Sequence, residues 1–573
     1  MLFKTLFMQI KTFTCYLLFL LPLTVGAQSS YLMPGTKDYI LIDRLEIKSE
    51  NPGLNYSTVK PYNRRLVVKE VEMLDSMYQQ NNGNGPKLTP VDRYNIERFL
   101  MNNSEWSQPR ESFVSKKPIF NTFYKNKGNM LEVNNDHFFL AVNPLFTYQQ
   151  SYERANAQNI FYNSRGLALR GLIDKRVGFH IYATENQERA PFYVQDYIEK
   201  NRAVPGAGFY KQFKKTGVDY FDVRGSISWN VARFIDMQFG YDKHFIGVGH
   251  RSLFMSDFSN NATFLKINTR IWKFNYQNLF MELVPQFGRH TGGDLLSRKY
   301  FRMNHLSINL GKKVNVGIFD AVTFGRKDHF DFQYLLPVMF LRPAEQQVGS
   351  PDNALMGLDA KVNLLKTVQV YGQLMFDEFK LSELKDNQGW WANKYGYQVG
   401  AKYIDAFGVS NLDIQVEANR VRPFTYAHFD SVANYTHYNQ PLAHPLGANF
   451  QEFVGIIRAQ PFRKLYLEAK AIYFSQGLDS AGINYGSNPF RDYRDREIFT
   501  GGGRRDYGYN VGSGNKVNGL NFNFLVSYEV RENLFFDVNA QVRNLKYESG
   551  GRNNTQVVSA AIRWNMPRRN FDF

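Results

Sequence analysis

Apolar and polar residues alternate through the last part of the chain, residues 520–573. Phe522 and Phe524 share one parity, Asn521 and Asn523 share the other, and the same alternation recurs in two further runs before the chain ends. Successive side chains of a β-strand point to opposite faces, so a two-residue period predicts strands with one apolar and one polar face. This part of the sequence therefore predicts a three-stranded antiparallel meander.

The two-residue period extends upstream over most of the chain. Counting each run as a strand predicts about eighteen, near residues 137–148, 164–173, 176–184, 219–230, 233–242, 262–271, 276–287, 302–311, 314–323, 354–364, 367–378, 396–406, 410–421, 449–460, 463–475, 519–530, 534–545 and 555–565. Each run is close to the roughly 9–11 residues with which a tilted strand crosses a bilayer. The run at 262–271 is a weak case because it contains Lys266 and Arg270, and residues 331–341 are apolar but too irregular to assign.

Short and long connections alternate between these strands. Asp174-Lys175 and Leu365-Lys366 are tight turns, and in each case a long connection follows the next strand. Outer-membrane barrels have this arrangement, with short turns on the periplasmic side and long loops outside. The alternative fold, a series of β-sandwiches, does not predict it. We therefore expect an all-β transmembrane barrel of about 18 antiparallel strands.

The size of the barrel predicts which face of each strand meets lipid. About eight strands enclose an interior that side chains can fill, whereas sixteen to eighteen leave an aqueous lumen. We therefore expect the apolar parity to face lipid and the polar parity to line water, including Asp413, Glu417, Asp537 and Arg543. A Lys or Arg on the lipid face near the bilayer centre would cost about 2–4 kcal/mol.

The first 27 residues have the features of a secretory signal peptide. Lys4 and Lys11 flank an apolar run, and small residues end at Ala27, after which we expect cleavage. The run is too short for a membrane span. Cys15 lies within it, without the preceding small residue of a lipidation site, and is the only cysteine. The mature chain is therefore expected to contain no disulfide.

The mature chain is basic and rich in aromatic residues. Without its first 27 residues it has 67 Lys and Arg and 52 Asp and Glu, a net charge of +15. A basic surface suits nucleic acid, anionic lipid or acidic sugar, and export argues against nucleic acid. Aromatic residues make up 16% of the chain, which fits the aromatic girdles of a transmembrane barrel. After residue 27 no apolar run has the length of a membrane helix.

The segment 28–115 has a helical rather than a two-residue period. Val67, Val71 and Leu74 lie at helical spacing. Thr89 then provides a capping residue before a proline at the first position of a second helix. We expect a periplasmic helical region over 28–115, followed by the barrel over 116–573. The helices could form a bundle beside the barrel or a plug in its periplasmic mouth.

A dense group of glycines and charged residues lies in residues 239–258. Ile246-Gly247-Val248-Gly249 follows a strand and precedes a Ser-Leu-Phe-Met-Ser run at 252–256. In this setting the sequence resembles the Wzi-type capsule-assembly family of outer-membrane proteins, although that family has Trp-Gly-Pro-Gly at the glycine motif. The resemblance implies an eighteen-stranded barrel in the cell outer membrane that binds surface polysaccharide.

Short motifs along most of the mature chain, roughly 30–570, are similar to the Bacteroidota branch of gliding-motility outer-membrane proteins, the RemB type. These motifs are Lys117-Pro118, Phe120-Asn121-Thr122-Phe123-Tyr124, Asn143-Pro144, Arg165-Gly166, Asn186-Gln187-Glu188, Val204-Pro205-Gly206 and Ile271-Trp272-Lys273-Phe274. The resemblance implies a barrel with a periplasmic helical region, and partners among the components of a gliding or secretion machinery.

Two charged groups are candidates for binding polysaccharide. The first lies in the glycine-containing segment and is Asp242, Lys243, His250 and Arg251. The second lies in the connection before the sixteenth strand and is Arg491, Arg494, Arg496 and Arg504. Arginine binds carboxylate and phosphate as a bidentate fork, which suits an acidic glycan. The alternative for the second group is a solvated mixed-charge loop, or one that pairs with lipopolysaccharide phosphates.

Aromatic residues at Trp390-Trp391 and Tyr395 have two interpretations. They could form a platform on which sugar rings stack, or they could belong to the outer aromatic girdle.

Metal and catalytic sites are weakly indicated. Asp242, His244 and His250 could ligate a metal, but their spacing matches no standard site. Glu185, Glu188 and Arg189 could serve in acid–base chemistry, but a lone acid pair on a loop is weak evidence. No common catalytic or phosphate-binding motif is present. We therefore expect no cofactor, no metal and no enzymatic activity.

The sequence thus leads to two hypotheses on function. The first is an outer-membrane barrel that binds or anchors surface polysaccharide in capsule or exopolysaccharide assembly, or that supports gliding motility and adhesion. The alternative is a porin-like channel for small anionic solutes, which the basic charge and the polar lumen suggest. The expected partners are outer-membrane lipid, lipopolysaccharide and acidic surface polysaccharide.

Overall fold

The computed structural model describes residues 30–80, 86–288, 295–327, 329–336, 339–349, 351–499 and 502–573, so the expected signal peptide lies outside the described residues. Eighteen antiparallel strands form one closed barrel, and the last strand pairs with the first. The strands are β1 Phe138–Glu153, β2 Gln158–Ile173, β3 Val177–Arg189, β4 Gly217–Ala232, β5 Ile235–Asp242, β6 Ala262–Ile271, β7 Phe274–Leu283, β8 Lys299–Leu310, β9 Val314–Phe324, β10 Asn353–Leu364, β11 Val368–Glu378, β12 Lys394–Tyr403, β13 Leu412–Val421, β14 Phe450–Phe462, β15 Leu465–Leu478, β16 Asn515–Arg531, β17 Leu534–Tyr547 and β18 Arg552–Trp564. Every predicted strand is present, including the weak case, which is β6. Among the described residues, no helix is both long and apolar enough to cross a bilayer.

The connections divide the barrel into a short-turn end and a long-loop end. At the short-turn end, Asp174 and Lys175 both have positive φ, the conformation of a type I′ turn, whose twist matches that of the flanking strands. The long-loop end carries residues 190–216, 243–261, 284–298, 325–352, 379–393, 422–449 and 479–514. Two tight hairpins, 154–157 and 548–551, also lie at this end, because the strands beside them extend further than predicted.

The apolar parity faces outward and the polar parity faces inward, as predicted. Val416 in β13 and Phe536 in β17 are 52% and 46% exposed, whereas their neighbours Glu417 and Asp537 are 3% and 5% exposed. Other large apolar side chains continue this outer surface, among them Phe522, Phe524, Val538, Val558 and Ile562. The outer surface of the barrel is therefore the face that lipid covers.

The expectation that the inward polar residues line water is wrong for a large part of the lumen. Two long connections, 243–261 and 422–449, fold back into the barrel and bring apolar side chains with them. Phe254 stacks on the inward-facing Phe319 of β9, with 4.4 Å between ring centroids. Buried apolar residues of these connections and of several strands between β6 and β14 form one cluster. A wide barrel is thus filled by its own loops.

In the described residues ahead of the barrel there are three helices: α1 Lys37–Ser49, α2 Arg64–Gln80 and α3 Pro90–Asn102. The sequence predicts α2 and α3, and α3 begins with the expected cap, in which the Thr89 hydroxyl accepts the Asp92 N–H at 3.0 Å. Helix α1 was not predicted. Its apolar and its charged side chains are both buried, so the sequence shows no clear amphipathic stripe.

These helices plug the short-turn end. Arg44 of α1 contacts Asp413 of β13 and lies 2.9 Å from Asp405, and Glu46 lies 2.6 Å from Lys361 of β10. Further ion pairs reach β12 and β16: Lys402–Asp43, Lys37–Glu529 and Arg98–Glu529. Of the two arrangements that the sequence left open, the helices therefore form a plug rather than a bundle beside the barrel.

Smaller elements lie in the connections. The helices are α4 Phe192–Asn201, α5 Leu341–Gln347 and α6 Leu381–Asp386. Short strands are Val59–Lys60 with Phe245–Ile246, Thr436–His437 with Gln440–Pro441, Leu131–Asn134 on β1 and Lys211–Phe213 on β4. The unassigned stretch 331–341 contains a 3₁₀ turn, Phe332–Leu335, and the start of α5.

Candidate functional site: a filled lumen and an arginine-rich outer loop

A glycine seats the connection 243–261 against the inner wall of the barrel. A Cβ on Gly249 would lie 2.3 Å from Oε2 of Glu417, so only glycine fits without displacing that carboxylate. Glu417 accepts the backbone N–H of His250 at 2.7 Å and that of Arg251 at 3.0 Å. The glycine that the sequence singled out therefore allows close approach of this connection to β13.

Two residues of the first candidate group bind neighbouring parts of the chain. The Asp242 carboxylate lies 3.3 Å from Nε2 of His180. Nζ of Lys243 donates to the carbonyl oxygens of Gly206 at 2.6 Å and Asp257 at 3.0 Å. Burial lowers the pKa of Lys243 to about 8, because the carbonyls replace water only in part. These side chains hold the start of the connection 243–261 in place.

The other two residues of this group meet the last residues of the chain. Arg251 donates to Glu452 at 3.2 Å and to the Asp572 carboxylate at 3.0 Å. Asp572 also lies 3.0 Å from Nε2 of His250 and 2.5 Å from Nζ of Lys470. Burial alone would raise the pKa of Asp572, but the two cations Arg251 and Lys470 hold it well below its usual range. The whole first group thus faces its own chain rather than an open surface.

The tail, residues 565–573, turns back from the end of β18 into the lumen. Arg569 pairs with Glu188 of β3 at 2.9 Å. Phe573 packs with Tyr193 of α4, with 6.1 Å between ring centroids in an edge-on arrangement. The tail therefore joins the wall of the barrel to a helix of the long-loop end.

A polar crevice of about 70 Å³ remains between the tail and strands β16–β18 and β1–β3. Its inward-facing polar residues include Thr147, Gln149, Ser151, Asn523, Asp537, Asn539, Gln541 and Ser559. The polar lining predicted for the lumen is thus retained on this side of the barrel.

The second candidate group lies on the connection 479–514 at the long-loop end. Three of its arginines pair with acidic residues of the same connection: Arg491–Asp479 at 2.9 Å, Arg494–Asp492 at 2.6 Å and Arg496–Asp506 at 2.8 Å. Arg504 is exposed, and its Nε donates to the carbonyl oxygen of Arg494 at 2.8 Å. Within the described part of the chain, no carboxylate lies at ion-pair distance from Arg504. Its charge is therefore available to a ligand.

Trp391 packs against residues of the connection 479–514. The guanidinium carbon of Arg496 is 3.8 Å from its ring centroid, and Tyr493 packs on it at 4.8 Å. The ring is half-buried among loop residues, so the interpretation of Trp391 as part of a lipid-facing girdle is wrong. Trp391 thus packs against the arginine-bearing loop.

Comparison with known proteins gives a similarity of fold. No protein family and no curated protein matches the chain. The chain is similar in fold to Wzi. Wzi is an outer-membrane protein of Escherichia coli, described as involved in group 1 capsule assembly and as a carbohydrate-binding β-barrel. The two sequences are 11% identical, and the match covers 95% of this chain and 99% of Wzi with a TM-score of 0.53. OprD of Pseudomonas aeruginosa is 9% identical, with 74% of this chain and 94% of OprD covered and a TM-score of 0.41.

The two candidate groups remain separate. Among the described residues, no hydrogen bond or ion pair joins the group around Arg251 to the group around Arg504. The first group lies inside the closed barrel, and the second lies on a loop at its long-loop end.

The metal and acid–base hypotheses gain no support from the geometry. In the described ranges, no three His, Cys, Asp or Glu side chains are grouped to hold a metal ion. His244 packs edge-on against Phe264 at 4.4 Å, and burial lowers its pKa to about 3. Glu185 and Glu188 point to opposite faces of β3, and each pairs with an arginine. They cannot act on one substrate.

Three histidines of the connection 422–449 were not anticipated as functional. Nδ1 of His428, His437 and His444 each accepts a backbone N–H, at 3.0 to 3.2 Å. Each ring therefore fixes a piece of the lumenal loop while it is neutral. Their spacing of nine and seven residues has no periodicity, so only their position in a long connection could have marked them.

Proposed function

We propose that this protein is an outer-membrane barrel without enzymatic activity that binds acidic surface polysaccharide at its long-loop end. In this proposal the signal peptide is removed after Ala27, the short-turn end with its helical plug lies in the periplasm, and the long loops lie outside. The proposal is supported by the lipid-facing apolar surface and by the similarity in fold to Wzi, which is a carbohydrate-binding β-barrel.

The observation that carries the proposal is the filled lumen. Helices close one end, and the connections 243–261 and 422–449 and the tail occupy the interior. A solute has no wide path through such a barrel, so we expect the function of the protein to lie on the loops of the long-loop end. This observation argues against the alternative, a porin-like channel for small anions.

The outer loop offers the chemistry that an acidic glycan requires. Arg504 and Arg494 are exposed and adjacent, since one donates to the backbone of the other. A guanidinium can bind a sugar carboxylate or a phosphate through two parallel hydrogen bonds. Tyr507, 44% exposed on the same connection, adds an aromatic face for a sugar ring.

Binding measurements with defined polysaccharides test this proposal. The purified barrel should bind polygalacturonate, which carries carboxylates, and not dextran, which is neutral. Arg504→Ala should weaken binding about tenfold, since a hydrogen bond to a charged group contributes about 1.5–3 kcal/mol. The control is Arg552→Ala, which removes an exposed arginine at the start of β18, beside the hairpin 548–551 at the same end, and should leave binding unchanged. Equal binding of both polymers, or no effect of Arg504→Ala, would refute the proposal.

Two further experiments separate the remaining roles. In planar bilayers the barrel should show almost no conductance, and steady anion-selective currents would favour the channel. Deletion of the gene should reduce surface glycan retention. If motility or adhesion depends on that glycan, colony spreading should fall as well, and a strain that keeps both at parental levels would contradict a role in surface polysaccharide.

A further inference from the structure

A small hairpin, residues 114–126, stands between the helical plug and the barrel, and we name it the rim hairpin. Ile119 and Phe123 exchange two backbone hydrogen bonds of 2.9 Å. Further back, the N–H of Ser115 donates to the carbonyl oxygen of Lys125 at 2.8 Å. These bonds define a short antiparallel ribbon with a tight turn at its tip.

The rim hairpin exposes large apolar side chains at its tip and, with Val114, at its base. Phe120 is 87% exposed, Val114 is 59%, Ile119 is 50% and Phe123 is 36%. Phe120 also has a φ of 52°, a left-handed conformation that is costly for a bulky residue. A strained turn that exposes a phenylalanine indicates an apolar environment around the tip of the hairpin.

The hairpin lies against the lipid-facing side of the barrel. Tyr124 stacks on Trp564 with 6.2 Å between ring centroids and 11° between the planes. Trp564 is the last residue of β18 and has the outward parity of Ile562 and Val558. The chain then runs into Leu131–Asn134, which pairs with β1 next to the end of β18. The apolar tip therefore continues the lipid-facing band at the short-turn rim.

Lysines surround this apolar tip. Lys116, Lys117 and Lys125 are exposed, and Lys127 donates to the carbonyl oxygen of Ser112. In the described ranges, none of these four lysines has a carboxylate at ion-pair distance. Apolar side chains flanked by unneutralised lysines are typical of segments that lie in the headgroup region of an anionic membrane.

We propose that the rim hairpin is an interfacial anchor that inserts Ile119, Phe120 and Phe123 into the bilayer leaflet at the short-turn end. Its exposed lysines bind the phosphates of anionic phospholipid headgroups. Two observations choose lipid over a protein as the partner: the continuity of the tip with the lipid-facing band, and the positive charge around it. The inference is independent of any glycan at the opposite end.

The anchor can be tested through the reactivity of single cysteines. The only cysteine, Cys15, lies in the expected signal peptide, so the mature chain offers a background without thiols. The test compares Phe120→Cys with the control Asp136→Cys, because Asp136 is exposed in a polar turn at the same end of the barrel. Both variants are reacted with a sulfonated maleimide in lipid nanodiscs, which leave both membrane faces accessible. In discs of phosphatidylethanolamine and phosphatidylglycerol, Cys at position 120 should react about tenfold more slowly than Cys at 136.

The lysines provide the second arm of the test. In the Phe120→Cys background, Lys116→Gln, Lys117→Gln and Lys125→Gln together should raise the rate about fivefold, and phosphatidylcholine discs should do the same. Circular dichroism checks that each variant is folded. Equal reaction rates at positions 120 and 136 would overturn the inference. So would a slow rate at position 120 that neither the lysine substitutions nor phosphatidylcholine discs change, or one that is seen only when a protein fraction is added.

Discussion

The tail is held in the lumen by a carboxylate, and this makes Asp572→Asn an informative change. Asp572 accepts from Arg251, Lys470 and His250 at distances of 3.0, 2.5 and 3.0 Å. Asparagine has the same shape but no charge, so the variant leaves Lys470 without a counter-ion and leaves Arg251 with Glu452 alone. We expect the tail to leave the lumen more often, while the barrel stays intact.

The burial of Arg251 and Lys470 determines how much free energy the Asp572→Asn change costs. The side chains of Arg251 and Lys470 are 7% and 6% exposed, so the small values measured for surface ion pairs do not apply. Removing one partner from a buried pair costs about 3–5 kcal/mol. Since Arg251 keeps Glu452, the lower value is appropriate. A cost of about 3 kcal/mol shifts the equilibrium between docked and released tail by about 100-fold.

Hydrogen exchange measured by mass spectrometry reads out this equilibrium. Amides of residues 565–573 should exchange about 100-fold faster in Asp572→Asn. Asp492→Asn is the matched control, because its partner Arg494 is 54% exposed and the pair is worth less than about 1 kcal/mol. Unchanged exchange of the tail in a variant with a native circular dichroism spectrum would refute the reasoning.

Three further predictions concern the lumenal connections and the helical plug. Gly249→Ala, whose Cβ would meet Glu417, should destabilise the barrel by about 1–3 kcal/mol in thermal unfolding, whereas Gly455→Ala, with open space around it, should not. Burial lowers the pKa of His437 from its usual value to about 4, so the folded loop excludes the proton. The loop should therefore lose roughly 3 kcal/mol as the pH falls from about 6.5 towards 4, seen as faster exchange of residues 422–449, and pH-independent exchange would contradict this. Thr89→Ala removes a capping box and should cost about 1 kcal/mol, seen as faster exchange in α3, with no change if the cap is dispensable.

The strands could be predicted because each one has lipid on one side. An outward residue such as Val416 must be apolar whatever its neighbours are, whereas an inward residue such as Glu417 is free to be polar. The two-residue period is therefore almost undisturbed along β13, β16 and β17. It also survives in β6, where Nζ of the inward Lys266 lies 3.9 Å from the ring centroid of Tyr31, in the segment before α1.

The filling of the lumen could not be predicted in the same way. Phe254 and Phe319 are about 65 residues apart in sequence, and nothing local indicates that the loop carrying one returns to the strand carrying the other. Helix α1 could not be predicted from the sequence either, because its burial also depends on contacts with distant strands. Its polar residues Arg44 and Glu46 are buried against the barrel wall, so both faces of the helix are covered.

The candidate site was predicted by composition rather than by geometry. The sequence marked arginines at 491–504 as a glycan clamp, but three of the four are paired within their own connection and Arg504 has no such partner among the described residues. Partner choice depends on loop conformation, which has no periodic signature. The charged residues near Gly249 were predicted to bind the same kind of ligand, and they hold the connection 243–261 and the tail instead.

The ion pairs of the helical plug set an order of events during biogenesis. Arg44 and Arg98 are synthesised early, whereas their partners Asp413 and Glu529 lie 369 and 431 residues further along the chain. Contacts between such distant residues form slowly and late. The helices can be seated only after the last strands are in register. Protease resistance of α1–α3 would then report that a newly made molecule has been completed, and a stalled intermediate would be cut there first.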